Sequence, residues 1–187
     1  DNRLMRLFIA INFNDDIKEE LENNIADLKD EAKRGNFSLI DNLHLTLAFI
    51  GELDKRNLQT IKDAMIYAVS NFEYGPFEIS LGDFGRFKGR RGGEYLYWRG
   101  LAKSEELNVL QRSIVRQLAY LDIPVDEKPF KPHITLARSC VLYEDFDEEY
   151  YCDGLFDESM TVKSIELMQS EVINGRTVYT PIYSLKI

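Results

Sequence analysis

Two copies of one pentapeptide pattern, His44-Leu45-Thr46-Leu47-Ala48 and His133-Ile134-Thr135-Leu136-Ala137, contain the only two histidines of the 187-residue chain. The repeat extends well beyond them. At the same offset of 89 residues (133 − 44), Leu7 falls on Leu96, Leu21 on Leu110 and Ile25 on Ile114. A chain with this register reads as an internal duplication, and two copies build a pair of matching lobes rather than a solenoid. The two histidine strands then face each other across a pseudo-two-fold axis.

Hydrophobic periodicity fills in the elements. Leu7–Phe13 is an apolar run long enough for a buried strand and too short for a helix. From Asp15, apolar residues at Ile17, Leu21, Ile25 and Leu28 predict an amphipathic helix, with acids in its first turn and Lys33-Arg34-Gly35 as its basic end and stop. Leu43–Ile50 is the strand of the first motif, closed by Gly51, and residues 57–72 a second helix ended by Gly75-Pro76. Phe77–Leu81 reads as a strand, and Gly82–Gly93, with five glycines, as a loop. The second copy follows with a strand at Leu96–Leu101, a helix at Ser104–Leu121 and the His133 strand introduced by Pro132. Tyr143–Asp153 reads as a solvated loop or short helix. Asn174-Gly175 marks a tight hairpin turn between Thr161–Val172 and Thr177–Ile187. The expectation is a single two-lobed domain over residues 5–187, with residues 1–4 an extension preceding Met5.

Charge narrows the partners. With 23 Lys+Arg against 32 Asp+Glu the chain carries a net −9, which argues against a protein that coats DNA or RNA by counterion release. Any nucleic-acid ligand is therefore expected to be gripped locally. No apolar run approaches the roughly 20 residues that span a bilayer, so the chain reads as cytoplasmic, with no membrane partner. Cys140 and Cys152 read as two free thiols, and neither histidine motif has the further ligands a metal site needs. No cofactor is expected.

On a strand, side chains alternate between faces, so His44, Thr46 and Ala48 share one face and Leu45, Leu47 and Phe49 the other, with His133, Thr135 and Ala137 matching them. The leucines can bury while imidazole and hydroxyl meet a cleft. Two imidazoles on opposite sides of one small anion suit in-line displacement at phosphorus, one as general base toward water and one as general acid toward the departing oxygen. Imidazole titrates near ~6.5, so both protonation states coexist near neutrality. Each threonine can hydrogen-bond an anionic oxygen. Arg138 could fork onto phosphate oxygens, although strict alternation puts it on the face opposite His133. The basic residues Arg86, Lys88, Arg90 and Arg91 form a candidate backbone clamp, and Tyr97 or Trp98 a candidate base-stacking platform.

The segments MRLFIAI from Met5, NLHLTLAFIGE around His44, PFEISLGDFGRF from Pro76 and KPFKPHITLAR around His133 together resemble the two-histidine phosphoesterases. Within these, the likeness is to the bacterial and archaeal RNA 2′,3′-cyclic phosphodiesterases, the 2′-5′ RNA ligase family, marked by paired His-x-Thr-x motifs. The resemblance implies an α+β fold of two pseudo-symmetric lobes, each an antiparallel sheet with outer helices, around a central cleft. It implies hydrolysis of an RNA 2′,3′-cyclic phosphate to a 2′-phosphomonoester, with His44 the proton donor and His133 the proton acceptor. Thr46 and Thr135 would hold the non-bridging oxygens, with Arg138 assisting. The residues alone do not say which histidine is acid and which is base.

Other readings share the same residues. They are 2′-5′ oligonucleotide cleavage or ligation, opening of a small cyclic nucleotide phosphate, and a non-catalytic module that binds RNA ends. The partner expected from the resemblance is an RNA 3′ end or short oligonucleotide bearing a cyclic phosphate, not DNA, met by a monomer, and the net −9 predicts recognition of a terminal nucleotide rather than of extended RNA.

Overall fold

The structure, a computed structural model, describes residues 4–187. Of the expected N-terminal extension only Leu4 is among them, and it opens the first strand, β1 (Leu4–Asn12). Helix α1 (Asp15–Asp30) starts where the Asn14 side chain accepts the Ile17 amide at 3.0 Å, with Asp15 and Asp16 favouring its positive end. It buries Ile17, Leu21, Ile25 and Leu28 on one stripe, as their spacing predicts. Strand β2 (Ala32–Phe37) follows, then β3 (His44–Asp54), α2 (Leu58–Ser70), β4 (Phe77–Lys88) and β5 (Tyr95–Leu101). Helix α3 (Glu105–Tyr120), capped by Ser104, leads to β6 (His133–Leu142), α4 (Glu148–Asp153), β7 (Ser159–Val162), β8 (Ser164–Ile173) and β9 (Arg176–Lys186).

These strands form two antiparallel sheets, ordered β3-β1-β8-β9 and β2-β6-β5-β4-β7. The fold is α+β, and one continuous apolar core runs through both sheets. The first helix covers a sheet that its own strand does not belong to. α1 packs on β2 and β6 of the five-stranded sheet, whereas α3 lies on β3 of the other and beside α2. Gln111 on α3 donates to the Leu47 carbonyl at 3.2 Å. Asn174-Gly175 turns the β8–β9 hairpin with φ of 52° and 77°, the left-handed pair of a type I′ turn.

Two expectations change. Lys33-Arg34-Gly35 is not the end of α1, which stops at Asp30, but the middle of β2. A Cβ at Gly35 would stand 3.1 Å from Cys140 Sγ on neighbouring β6, so this glycine is there for close approach between strands rather than to stop a helix. Likewise β4 runs on through Lys88, paired with β5, and only the turn that follows is loop. Gly85 sits in that strand because the Trp98 ring lies on it, and a Cβ there would come within 2.4 Å of the indole. Tyr143–Asp153 includes the short helix expected as one alternative, with Tyr151 buried and its hydroxyl donating to the Asn24 carbonyl at 2.8 Å. Cys140 and Cys152 are free thiols, and burial pushes the Cys140 thiol up to about 11.

The link between α1 and the five-stranded sheet is Arg99 on β5, 0% exposed. Its Nη1 donates to Asn24 Oδ1 at 2.6 Å and to Glu20 Oε2 at 3.3 Å, both on α1. Nη2 donates to Asp157 Oδ1 at 3.1 Å and the Phe156 carbonyl at 3.3 Å, and Nε to the Gly82 carbonyl at 3.1 Å. Removing one member of such a network leaves buried polar groups without partners, at a cost of about 3–5 kcal/mol. Arg99→Leu is expected to lower unfolding free energy by that order in urea titrations, and a loss under ~1 kcal/mol would show that the network is dispensable.

Candidate active site

His44 and His133 open the two strands β3 and β6, and both line one cleft of about 1560 Å³ between the sheets. The alternating pattern does the first part of the work. Leu45, Leu47, Ile134 and Leu136 are buried in the core, and His44, Thr46, His133 and Thr135 reach the cleft. Each ring is then held in the same way. Nδ1 of His44 lies 2.7 Å from the Asn42 carbonyl, and Nδ1 of His133 lies 2.7 Å from the Lys131 carbonyl, two residues upstream in both cases. A carbonyl only accepts, so Nδ1 carries the proton in both rings and Nε2 is the atom left for chemistry. In the neutral His44 ring, Nε2 accepts from the Thr46 hydroxyl, 2.9 Å away.

The environments differ. His44 packs between Phe8 and Tyr179, with ring centroids at 4.8 and 5.0 Å, whereas His133 meets Phe87 edge-on at 5.2 Å. Burial lowers the pKa of His44 below its ordinary value. The Asn42 hydrogen bond works in the opposite direction, and the positive charges of Arg138 and His133 lower it further.

Arg138 lines the cleft because the strand is not regular there. The β5–β6 register slips between Tyr97 and Trp98 and again between Tyr95 and Tyr97, placing extra residues on β6, and Ser139 takes φ of 48°. Such bulges re-aim a side chain. The β1–β3 pairing slips at the corresponding places, on either side of Ala48 and Phe49. Phe49, which alternation alone assigns to the opposite face, lines the cleft as Arg138 does, with the Arg6 guanidinium 4.8 Å from its ring centre. Phe49 and Arg138 also stand 89 residues apart, so the register of the duplication makes them equivalent positions.

The remaining candidates lie elsewhere. Arg86 and Lys88 are on β4, and Arg90 and Arg91 on the exposed turn after it, and none of the four lines the cleft. Arg86 pairs with Glu148 at 3.7 Å and lies over the Tyr95 ring. Tyr97 is 3% exposed and stacks on Phe84 in the core, so it offers no face to a base. Trp98, one residue on, points to the other side of the sheet and bounds a smaller hollow of about 310 Å³ beside His133 with Phe87 and Phe130.

Cations gather in the cleft from other places. Lys29 comes from α1, Lys33 and Arg34 from β2, Lys128 and Lys131 from the segment before His133, Arg138 from β6, Arg176 from β9 and Arg6 from β1. Eight of the chain's 23 basic residues line it, against one of its 32 acids, Asp126. A cleft this basic attracts anions despite the net −9. No group of three or more metal-ligating side chains occurs among the described residues.

The family profile of the 2′-5′ RNA ligase superfamily matches residues 17–174. The chain belongs to the 2′-5′ RNA ligase superfamily. It is 32% identical over 136 residues to an RNA 2′,3′-cyclic phosphodiesterase of Archaeoglobus fulgidus, covering 72% of each chain. To that of Methanocaldococcus jannaschii it is 30% identical over 185 residues, covering 94% of this chain and 96% of the relative. Among solved structures it superposes on E. coli LigT complexed with 3′-AMP with a TM-score of 0.78 at 28% identity, covering 98% of both chains.

The carbonyl clamps predict the Nδ1–H tautomer for both neutral rings, and burial predicts that His44 protonates below 6.5. Nitrogen-15 shifts of the two imidazoles across a pH titration test both points. A neutral Nε2–H tautomer at either ring would contradict the clamp.

Proposed function

We propose that this protein hydrolyses the 2′,3′-cyclic phosphate at an RNA 3′ end to a 2′-phosphomonoester and a free 3′ hydroxyl, as a monomer and with its own side chains alone. The reading rests on the matched Nδ1–carbonyl bonds, which leave two Nε2 atoms available to one anion in a basic cleft. It is supported by family membership and by the RNA 2′,3′-cyclic phosphodiesterase activity for which the relatives are named. DNA lacks the 2′ hydroxyl and so cannot carry the substrate.

In this mechanism His133 Nε2 accepts a proton from water as the water oxygen bonds to phosphorus. The P–O3′ bond breaks, and protonated His44 delivers its Nε2 proton to O3′. The assignment of donor and acceptor follows the family resemblance. Thr46 and Thr135 donate to the non-bridging oxygens, and Arg138 offsets the charge that grows on them. Once His44 is protonated its Nε2 no longer accepts from Thr46, which frees the threonine hydroxyl hydrogen for the phosphate and the Nε2–H for O3′.

His44→Ala and His133→Ala are each expected to lower kcat by about 10²–10⁴-fold on an RNA ending in a cyclic phosphate, with activity retained in EDTA. Mass analysis should identify a 2′-phosphate product. Full turnover by both single variants would sink the mechanism, and tight binding without turnover by the unmodified protein would favour an RNA-end binding module.

The lowered pKa of His44 sets a pH signature. A donor must be protonated, and in the empty cleft burial and the nearby positive charges disfavour that form, so its protonated fraction falls early as pH rises. A bound phosphate anion opposes both effects. Since kcat/KM reports the free enzyme and kcat the complex, the alkaline limb of kcat should lie at higher pH than that of kcat/KM. Coincident limbs would mean that the anion does not act on His44.

A further inference from the structure

The cations of the cleft are not spread evenly around the histidines, and one group leads away from them. β2 runs antiparallel beside β6, with Asn36 opposite Arg138 and Arg34 opposite Val141. It is joined to the motif strand where Ser38 bonds the Thr135 carbonyl through its hydroxyl at 2.7 Å and the Leu136 carbonyl through its amide at 2.9 Å. From Thr135 outward the cleft wall therefore carries Arg138, Asn36, Arg34 and Lys33, with Lys29 of α1 alongside. Six strand residues at about 3.3 Å each make this wall roughly 20 Å long, well beyond the reach of one nucleotide's phosphate.

We infer that this row is a track for single-stranded RNA. The nucleotides 5′ of the cyclic phosphate lie along β2, their phosphates meeting Arg34, Lys33 and Lys29 beyond the Arg138 that faces the cyclic phosphate itself, and their bases are not read. The inference deepens the function proposed above and rests on it for the placement of the RNA end. It departs from the terminal-nucleotide recognition expected from net charge, because the net value is an average over a surface and this wall is locally basic. Polynucleotide backbones are held by such rows of cations with little sequence preference.

Arg34 is shared with Glu94, 3.7 Å away, and β2 is a sheet edge, where lysine also serves to discourage pairing with another chain. Edge protection alone predicts no dependence on RNA length, which separates it from the track.

The test uses the whole protein, a Lys33→Gln/Arg34→Gln double variant and a Glu94→Gln variant. Two substrates are compared, a 2′,3′-cyclic mononucleotide and an oligonucleotide of about eight residues with the same end. Binding of the oligonucleotide bearing a 3′-phosphate is followed separately by anisotropy over a salt series. The track predicts a higher kcat/KM for the oligonucleotide, lost in the double variant, while the mononucleotide rate is unchanged by it. The slope of log Kd against log salt should become shallower by about 1.4, from ~0.7 per lost phosphate contact on a single strand. Glu94→Gln should tighten oligonucleotide binding by freeing Arg34. An unchanged slope in the double variant, or equal kcat/KM for the two substrates, overturns the track. Absence of turnover on both substrates would count against the proposed reaction instead, and the salt series would still decide the track.

Discussion

One buried guanidinium determines which wall the cleft has. Arg99 is saturated by acceptors from α1, from the segment at 156–157 and from β4, and it holds α1 against a sheet to which β1 does not belong. The chain leaving α1 is thereby delivered to the free side of β6, where it becomes β2. The position matching Arg99 in the first copy is Ala10, so the other lobe has no such anchor. There the chain leaving α3 makes a single backbone bond to the other motif strand, from the Asp126 amide to the Phe49 carbonyl at 3.0 Å. As a result β6 is flanked on both sides, by β2 and β5, whereas β3 remains an edge. Two nearly identical motifs occupy inequivalent places because one arginine has no counterpart.

That inequivalence has chemical consequences. Two pentapeptides that differ only in Leu45 against Ile134 cannot say which imidazole gives a proton and which takes one. Their surroundings do distinguish them, since His44 is enclosed by Phe8 and Tyr179 and its charged form is disfavoured in the empty cleft. Taken alone, a lowered pKa suits a base. A donor with that property is more readily charged when an anion stands beside it, which couples readiness to the presence of the substrate. The family-based assignment of His44 as donor therefore carries a physical requirement: the phosphate must offset the burial and the charges of Arg138 and His133.

Much of this arrangement is legible in the residues. The four-, four- and three-residue spacing of Ile17, Leu21, Ile25 and Leu28 can serve only a helix face, and the offset of 89 pairs the two copies before any coordinate is known. Asn174-Gly175 names its turn. What resisted reading was set by partners distant in sequence. Nothing local in Ala32–Phe37 signals a strand, because its pairing comes from β6 a hundred residues on, and Gly35 and Gly85 look like loop residues until Cys140 and Trp98 are laid against them. The bulges that bring Phe49 and Arg138 into the cleft are likewise invisible to a strict two-residue alternation, and so is the burial of Tyr97 beside an available Trp98.

Charge shows the same division between identity and address. The arginine at 86 was the natural candidate for a phosphate clamp, yet Glu148, from the acid-rich segment, stands opposite it at 3.7 Å. Lys33 and Arg34 looked like the basic end of a helix, satisfying a macrodipole, and instead line the cleft. Neither outcome changes the net charge of the chain by a unit. The field that an incoming phosphate meets is governed by the groups nearest its path, because solvent screening removes distant charges within about 10 Å at ordinary salt. A protein with a surplus of acids can therefore present a basic cleft, provided that its fold gathers cations around the cleft and keeps nearly all the carboxylates out of it.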